Sequence, residues 1–131
     1  MAKNEAVLAS GLESLAIADK AGIKMGWGTD LIGEIQSMER QEFAIRAEVQ
    51  SAESILHAMY VMNPIILRRA ESIGRLAPGM AGDVVLTQVN PLENIAGLAA
   101  DDAVTQVVKS CLLYTSPSPR DQRGSRMPSS A

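Results

Sequence analysis

The feature that most constrains the fold of this chain is an amphipathic pattern followed by a glycine, a short apolar run and an acid. Residues 5–20 repeat apolar side chains at helical spacing, which predicts a helix that ends near Gly22. Residues 23–27 then predict a strand, and the sequence Gly26-Trp27-Gly28-Thr29-Asp30 closes this segment on a carboxylate. A helix that returns directly into a strand is half of a βαβ unit, so the pattern predicts an α/β fold with a parallel sheet.

The remaining pattern is helical at first and then strand-like. It predicts a helix over residues 39–49, a second helix capped by Ser51, and a third that runs from Asn63-Pro64 to about residue 72. Apolar runs further along predict strands over residues 83–89 and 104–109. Because two strands do not form a stable sheet by themselves, we expect these strands to pair with others.

Composition excludes several classes of function. The chain has 131 residues, a net charge of -3 and 3% aromatic residues, which argues against a nucleic-acid partner. Its apolar runs are shorter than the roughly 20 residues of a membrane span, so no membrane partner is expected. One cysteine provides no disulfide framework, which favours a reducing compartment, the cytoplasm. The sequence assigns no oligomeric state.

The last 21 residues differ in character from the rest of the chain. Residues 111–131 contain three of the six prolines, and they follow neither a helical nor a strand period. One interpretation is a natural disordered tail. The other is a translated sequencing adapter, because adapter, index and primer would follow one another here in a single reading frame. We favour the adapter and expect a non-native disordered tail.

Three stretches within residues 1–110 carry a family resemblance through their order and spacing. Residues 21–30 end in Gly-Thr-Asp, residues 41–49 form the next helical pattern, and residues 74–95 combine a turn, the run Val84-Val85-Leu86 and a second turn. Together they resemble the amidohydrolase superfamily, in its imidazolonepropionase-like and prolidase-like branch. In that family, the first stretch is the last barrel strand, the second is the helix after it, and the third returns into a small β-sandwich.

The resemblance implies a fold and a division of the chain. The implied fold is the C-terminal piece of a (β/α)8 metal-dependent hydrolase barrel with part of its accessory β-sandwich. Residues 1–73 would be the last part of the barrel, and residues 74–110 would be the partial sandwich. Residues 111–131 would be the non-native tail. We therefore expect a fragment, whose family continues after Val108-Lys109 into a glycine turn and a final strand.

The resemblance also implies a role for Asp30. In this superfamily, the acid at the end of the last strand ligates a divalent metal, often zinc. It also acts as general base and then general acid in the hydrolysis of a C–N bond. The implied substrate is a small amide, a dipeptide or a cyclic amide. By position alone, Asp30 could equally cap a turn. The three stretches in register favour the catalytic and metal-ligating role.

The chain by itself is expected to be inactive and of low stability. A catalytic zinc needs about three protein ligands, and the family places most of them on earlier strands. The one histidine, His57, is expected to be structural. One alternative is a small non-catalytic helical module for binding or scaffolding, and another is a decayed relative of the enzyme. A His-x-His motif upstream in the same reading frame would identify the enzyme.

Overall fold

A helical part followed by a small antiparallel sheet makes up this protein. A computed structural model describes the backbone of residues 2–115 and the side chains of residues 9–114. The helices are α1 (Ala2–Lys20), α2 (Gln41–Ala47), α3 (Ala52–His57) and α4 (Asn63–Ile66). The strands are β1 (Val84–Thr87), β2 (Val104–Lys109) and β3 (Leu112–Thr115), and 3-10 turns span Gly33–Met38 and Ala96–Ala99. The predicted mixture of helices and strands is confirmed, whereas the described residues pair strands only in antiparallel fashion.

Helix α1 ends where its glycine predicted. The Gly22 N–H donates to the Asp19 carbonyl at 2.9 Å, and the Ile23 N–H donates to the Ala18 carbonyl at 3.0 Å. These two bonds form a Schellman cap, which requires a positive φ at the residue after the helix. Gly22 has a φ of 67°. Glycine adopts this conformation without steric cost, so the chain leaves α1 in an extended direction.

The strand predicted over residues 23–27 is wrong. Residues 23–32 form neither helix nor strand, although their backbone follows directly from α1. A strand exists only when a neighbouring backbone exchanges hydrogen bonds with it, and no other strand of the described part of the chain pairs with this segment. Side chains of α2 and α4 bind its backbone instead.

Residues 52–66 form one continuous helical rod rather than the two separate helices predicted. Helix α3 begins as expected, since the Ser51 hydroxyl accepts a hydrogen bond from the Ser54 N–H at 3.2 Å. A π-helical turn over Ala58–Met62 then joins α3 to α4. Pro64 lacks an N–H and its ring would clash with the carbonyl four residues earlier, so the wider turn accommodates the proline inside the rod.

Gly74 packs against the Tyr60 carbonyl, which lies four residues before Pro64. A Cβ atom on Gly74 would lie 2.7 Å from Pro64 Cγ and would also collide with the Tyr60 carbonyl oxygen. The φ of Gly74 is 100°, a value that side chains disfavour. Only glycine therefore lets the chain turn back this closely against the rod.

Helix α4 ends earlier than predicted. The Arg68 N–H donates to the Ile65 carbonyl at 3.0 Å, and the Arg69 N–H donates to the Pro64 carbonyl at 2.8 Å, which forms a second Schellman cap. Arg68 takes the left-handed position with a φ of 56°. Because no glycine marks this position, the sequence pattern carries no stop signal before Gly74.

The sheet has the order β1-β2-β3, with both neighbouring pairs antiparallel. Val84 lies opposite Val108 in the first pair, and the register shifts between Leu86 and Thr87. In the second pair, Lys109 lies opposite Leu112. The predicted strand over residues 104–109 is confirmed as β2, whereas the strand predicted over 83–89 is shorter in the structure.

The expectation of a disordered tail is wrong for Leu112–Thr115, which forms β3. Ser110 and Cys111 make a two-residue turn with φ values of 51° and 65°, the signs of a type I′ hairpin. This turn brings the backbone of residues 112–115 beside β2. Backbone hydrogen bonds then form between the two strands, although the side chains of residues 112–115 follow no strand period. Residues 116–131 lie outside the described residues, and the origin of the tail stays a prediction.

The core is small and lies between the helices and the 3-10 turn at Ala96–Ala99. Ile55 is its fully buried member. The other buried side chains of this cluster are Phe43, Ile95, Leu98 and Ala103. Many large apolar side chains remain in solvent, including Ile32, which is 79% exposed, and Leu76, which is 72% exposed. Low stability stays a prediction, and this exposure is in keeping with it.

Candidate functional site

The segment that carries Asp30 is held by side chains of the helical rod. The Asn63 Oδ1 atom accepts a hydrogen bond from the Trp27 N–H at 2.9 Å, and Asn63 Nδ2 donates to the Trp27 carbonyl at 2.8 Å. One amide side chain thus satisfies both polar groups of one backbone residue. A Cβ atom on Gly26 would lie 2.8 Å from Asn63 Oδ1, so glycine permits this close approach.

An ion pair on α2 provides a further contact to the same segment. The Arg46 guanidinium donates to the Gly26 carbonyl at 3.2 Å through Nη1. Its Nε lies 2.6 Å from Oε1 of Glu42, one helical turn earlier. Arg46 is 8% exposed, and a charge this deeply placed requires a partner. Glu42 neutralises the guanidinium, which is thereby fixed in the orientation that meets the Gly26 carbonyl.

Asp30 itself is exposed at the end of this held segment. Its φ is 54°, a left-handed conformation that aspartate tolerates better than most residues. The Thr29 hydroxyl oxygen accepts a hydrogen bond from the Leu31 N–H at 3.4 Å, which spans Asp30 with a short side-chain turn. The carboxylate is therefore free to bind a ligand from solvent.

Asp30 fits a metal site as one oxygen donor, but it does not complete one. Within the described residues, no three His, Cys, Asp or Glu side chains come close enough to hold an ion. A catalytic zinc takes about three protein ligands. The metal-ligating role of Asp30 stays a prediction, and it would need donors from outside the described residues.

A cleft of about 760 Å³ opens between the helices and the sheet. Its lining includes Trp27, Phe43, Val85 and Val107. Arg40 and Asp101 lie at the same cleft and form an ion pair at 3.0 Å. Asp30 is not among the lining residues, so the cleft and the carboxylate are separate features.

The indole nitrogen of Trp27 is a buried donor without a hydrogen-bond partner among the described residues. The backbone N–H and carbonyl of Trp27 are therefore hydrogen-bonded, whereas its indole N–H has no partner among the described residues. A buried polar atom of this kind ordinarily finds a partner in a complete protein.

The other polar residues near the motif lie in solvent. His57 is exposed on α3, as are Glu34 and Gln36 on the 3-10 turn that follows Asp30. The structural role expected for His57 is not supported by burial. The sequence assigned no site role to the residues that hold the segment, because Asn63 was interpreted as a helix start and Arg46 lies within the helix predicted over residues 39–49.

Comparisons with known proteins agree with one another. Residues 1–113 match the sequence model of the amidohydrolase family. The ochratoxinase of Aspergillus niger is 32% identical over 117 residues, which cover 88% of this chain and 24% of the ochratoxinase.

Solved structures resemble the described fold as well. A crystal structure of an amidohydrolase superposes with a TM-score of 0.74 at 34% identity and covers 82% of this chain and 26% of that chain. A prolidase complexed with N-methylphosphonate-L-proline superposes with a TM-score of 0.72 at 37% identity, over 81% of this chain and 26% of that chain. The chain thus spans about a quarter of the length of the relatives it matches. Within residues 2–115, no helix is long and apolar enough to cross a membrane.

Proposed function

Since this chain belongs to the amidohydrolase family, we propose that it forms part of a metal-dependent hydrolase that cleaves a C–N bond, with Asp30 as a catalytic residue. The observation that carries the proposal is the placement of Asp30. Its carboxylate is exposed, and it follows a backbone segment held by two helices. A carboxylate fixed at its backbone and open to solvent suits proton transfer to a bound substrate.

The proposed substrate is a small amide, and a dipeptide ending in proline is the first to test. This choice rests on the resemblance to a prolidase that was crystallised with N-methylphosphonate-L-proline. In that compound a tetrahedral phosphorus stands on the proline nitrogen. Water that adds to an amide carbonyl passes through the same tetrahedral geometry, so the compound imitates the reacting bond of a Xaa-Pro dipeptide.

Asp30 would serve the reaction by moving one proton. Its carboxylate accepts a proton from the attacking water as the new C–O bond forms, and then delivers that proton to the amide nitrogen as the C–N bond breaks. The products are a carboxylic acid and an amine, and the carboxylate returns to its starting state. A bound divalent metal, which we propose to be zinc, would supply a water molecule whose pKa is lowered from about 15.7 towards 7.

The direct experiment begins with the gene. We would sequence the genomic locus on both sides of this reading frame, express the whole protein, and measure proline release from Xaa-Pro dipeptides. The proposal predicts histidine-bearing strands upstream and hydrolysis that a chelator abolishes and zinc restores. Dipeptides without proline and an N-acetyl amino acid would define the substrate class.

The opposite result has a clear meaning. A natural reading frame that starts at Met1, encodes residues 111–131 in the genome and yields a protein without hydrolytic activity would contradict the proposal. The small non-catalytic helical module would then be the better account. An otherwise complete barrel that lacks the upstream histidines would indicate a decayed relative.

A further inference from the structure

We propose that Asn63 is a positioning residue for Asp30, because its side chain binds the backbone of the segment that carries the carboxylate. The inference rests on the proposed role of Asp30. It adds a residue that lies 36 positions from Trp27 in sequence and that no motif near Asp30 suggests.

The pairing between Asn63 and Trp27 has the form of a ladder contact. In an antiparallel sheet, two opposed residues exchange both of their backbone hydrogen bonds. Here the Asn63 amide exchanges both bonds with Trp27, at 2.9 and 2.8 Å. The orientation of the amide follows from this pairing, because a flipped side chain would set donor against donor and acceptor against acceptor.

Asn63 is well placed to act as an anchor because it lies inside the helical rod. Its own carbonyl accepts a hydrogen bond from the Leu67 N–H at 2.9 Å. Together with the bond from Arg46 to Gly26, the pairing gives residues 26–27 three hydrogen bonds from two different helices. We call these three bonds the backbone anchor.

The carboxylate depends on this anchor because, within the described residues, no hydrogen bond joins residues 28–30 to a helix. Asp30 follows Trp27 by three residues, which span about 10 Å when fully extended. The hydrogen bond from the Leu31 N–H to the Thr29 hydroxyl shapes the turn locally but does not attach it to a helix. If the Trp27 backbone moves, Asp30 therefore moves with it. Displacement of a catalytic group by about 1 Å can lower a rate by about 10²-fold.

Amide hydrogen exchange on the full 131-residue chain tests the anchor without reference to activity. In Asn63→Ala, the Trp27 amide should exchange about tenfold faster than in the unchanged chain, since one net hydrogen bond is lost. The amides of Ile55 and Val107 should keep their rates. Asn63→Asp keeps an acceptor for the Trp27 N–H and should fall between the two. Asn90→Ala is the control, because it removes an equivalent amide acceptor at an exposed turn.

Two results of this experiment would overturn the inference. One is a Trp27 amide that exchanges at the same rate in the unchanged chain and in Asn63→Ala. The other is an increase of equal size at Trp27, Ile55 and Val107, which would mean that Asn63 supports overall stability only. The backbone chemical shift of Asp30 provides a second measurement, and it should lose its left-handed character in Asn63→Ala alone.

Kinetics of the whole hydrolase separate this inference from the proposed function. Asn63→Ala should lower kcat by about 10²-fold with little change in KM, and Asn63→Asp should restore part of the loss. If Asp30→Asn abolishes activity while Asn63→Ala leaves kcat unchanged, positioning is wrong and the proposed function stands. If Asp30→Asn leaves activity unchanged, the proposed function is wrong, and the exchange experiment alone decides whether the anchor exists.

Discussion

The indole ring of Trp27 lies against the phenyl ring of Phe43, with centroids 5.0 Å apart and planes inclined by 31°. This contact joins the segment before Asp30 to the core cluster, because Phe43 is one of its buried members. Trp27 is the one tryptophan of the chain, so its fluorescence reports directly on this contact.

We predict that Phe43→Leu weakens the attachment of this segment. The tilted aromatic pair contributes about 0.5–1.5 kcal/mol beyond the area it buries, and leucine cannot replace that part. The free energy of unfolding in urea should fall by about 1 kcal/mol or more, and Trp27 emission should shift to longer wavelength. Leu76→Ala is the control, because Leu76 is 72% exposed and should alter neither quantity. An unchanged emission maximum in Phe43→Leu would contradict the prediction.

The start of α3 should depend on its cap. The Ser51 hydroxyl accepts from the Ser54 N–H at 3.2 Å, and loss of such a cap costs about 1 kcal/mol. Ser51→Ala should therefore lower the free energy of unfolding by about that amount, measured by circular dichroism in urea. Ser51→Asp should retain most of the stability, because aspartate is an equally good cap. Equal losses in both variants would show that the hydroxyl is not the cause.

Glu53 should make stability depend on pH. Its own backbone N–H, and then the Ser51 hydroxyl, donate to the carboxylate and hold the pKa of Glu53 below its ordinary value. A lowered folded-state pKa stabilises the protein above the unfolded-state pKa, and this contribution is lost as the pH falls through the folded-state pKa. Glu53→Gln should therefore be less stable than the unchanged chain near neutral pH. The difference should vanish in acid.

Urea unfolding at a series of pH values checks this prediction. Ser51→Ala removes the second of the two donors. In that background, Glu53→Gln should therefore cause a smaller pH-dependent change in the free energy of unfolding. A Glu53→Gln variant whose stability differs from the unchanged chain by the same amount at every pH would contradict the proposed hydrogen bonds.

Local signals explain which elements the sequence predicted correctly. Gly22 marks the end of α1, Ser51 marks the start of α3, and the apolar run over Val104–Lys109 matches β2. Each of these depends on residues that are neighbours in sequence. The segment over residues 23–27 failed as a strand for the opposite reason, since strand formation depends on a partner backbone that the described residues do not place there.

In the candidate site as well, features set by neighbouring residues were predictable from the sequence, and contacts with distant residues were not. Asp30 stands out through the residues directly before it, and its catalytic role stays a prediction. Asn63 and Arg46 hold its segment from 36 and 20 residues away, and such distant contacts leave no mark in a periodic pattern. Arg68 ends α4 in a left-handed conformation that glycine usually occupies, so that boundary was missed as well.

The hairpin between β2 and β3 should be easy to stabilise. Ser110 and Cys111 both have positive φ, and the left-handed conformation costs an ordinary residue about 1–2 kcal/mol. Ser110→Asn combined with Cys111→Gly supplies the residues that a type I′ turn favours. The double variant should gain on the order of 1 kcal/mol, seen as slower amide exchange at Leu113. A matched pair of alanine substitutions should give no gain, and slowing by alanine would contradict the turn assignment.

The most direct test of the central claim is steady-state hydrolysis of a Xaa-Pro dipeptide by the whole protein that contains this chain, with Asp30→Asn compared with Asp102→Asn. Asparagine keeps the shape of the side chain and removes its ability to accept a proton. Asp102 is another exposed aspartate, and it supplies the matched control. The account predicts that Asp30→Asn lowers kcat/KM by about 10²–10⁴-fold while Asp102→Asn leaves it unchanged. Equal activity of the two variants would contradict the account.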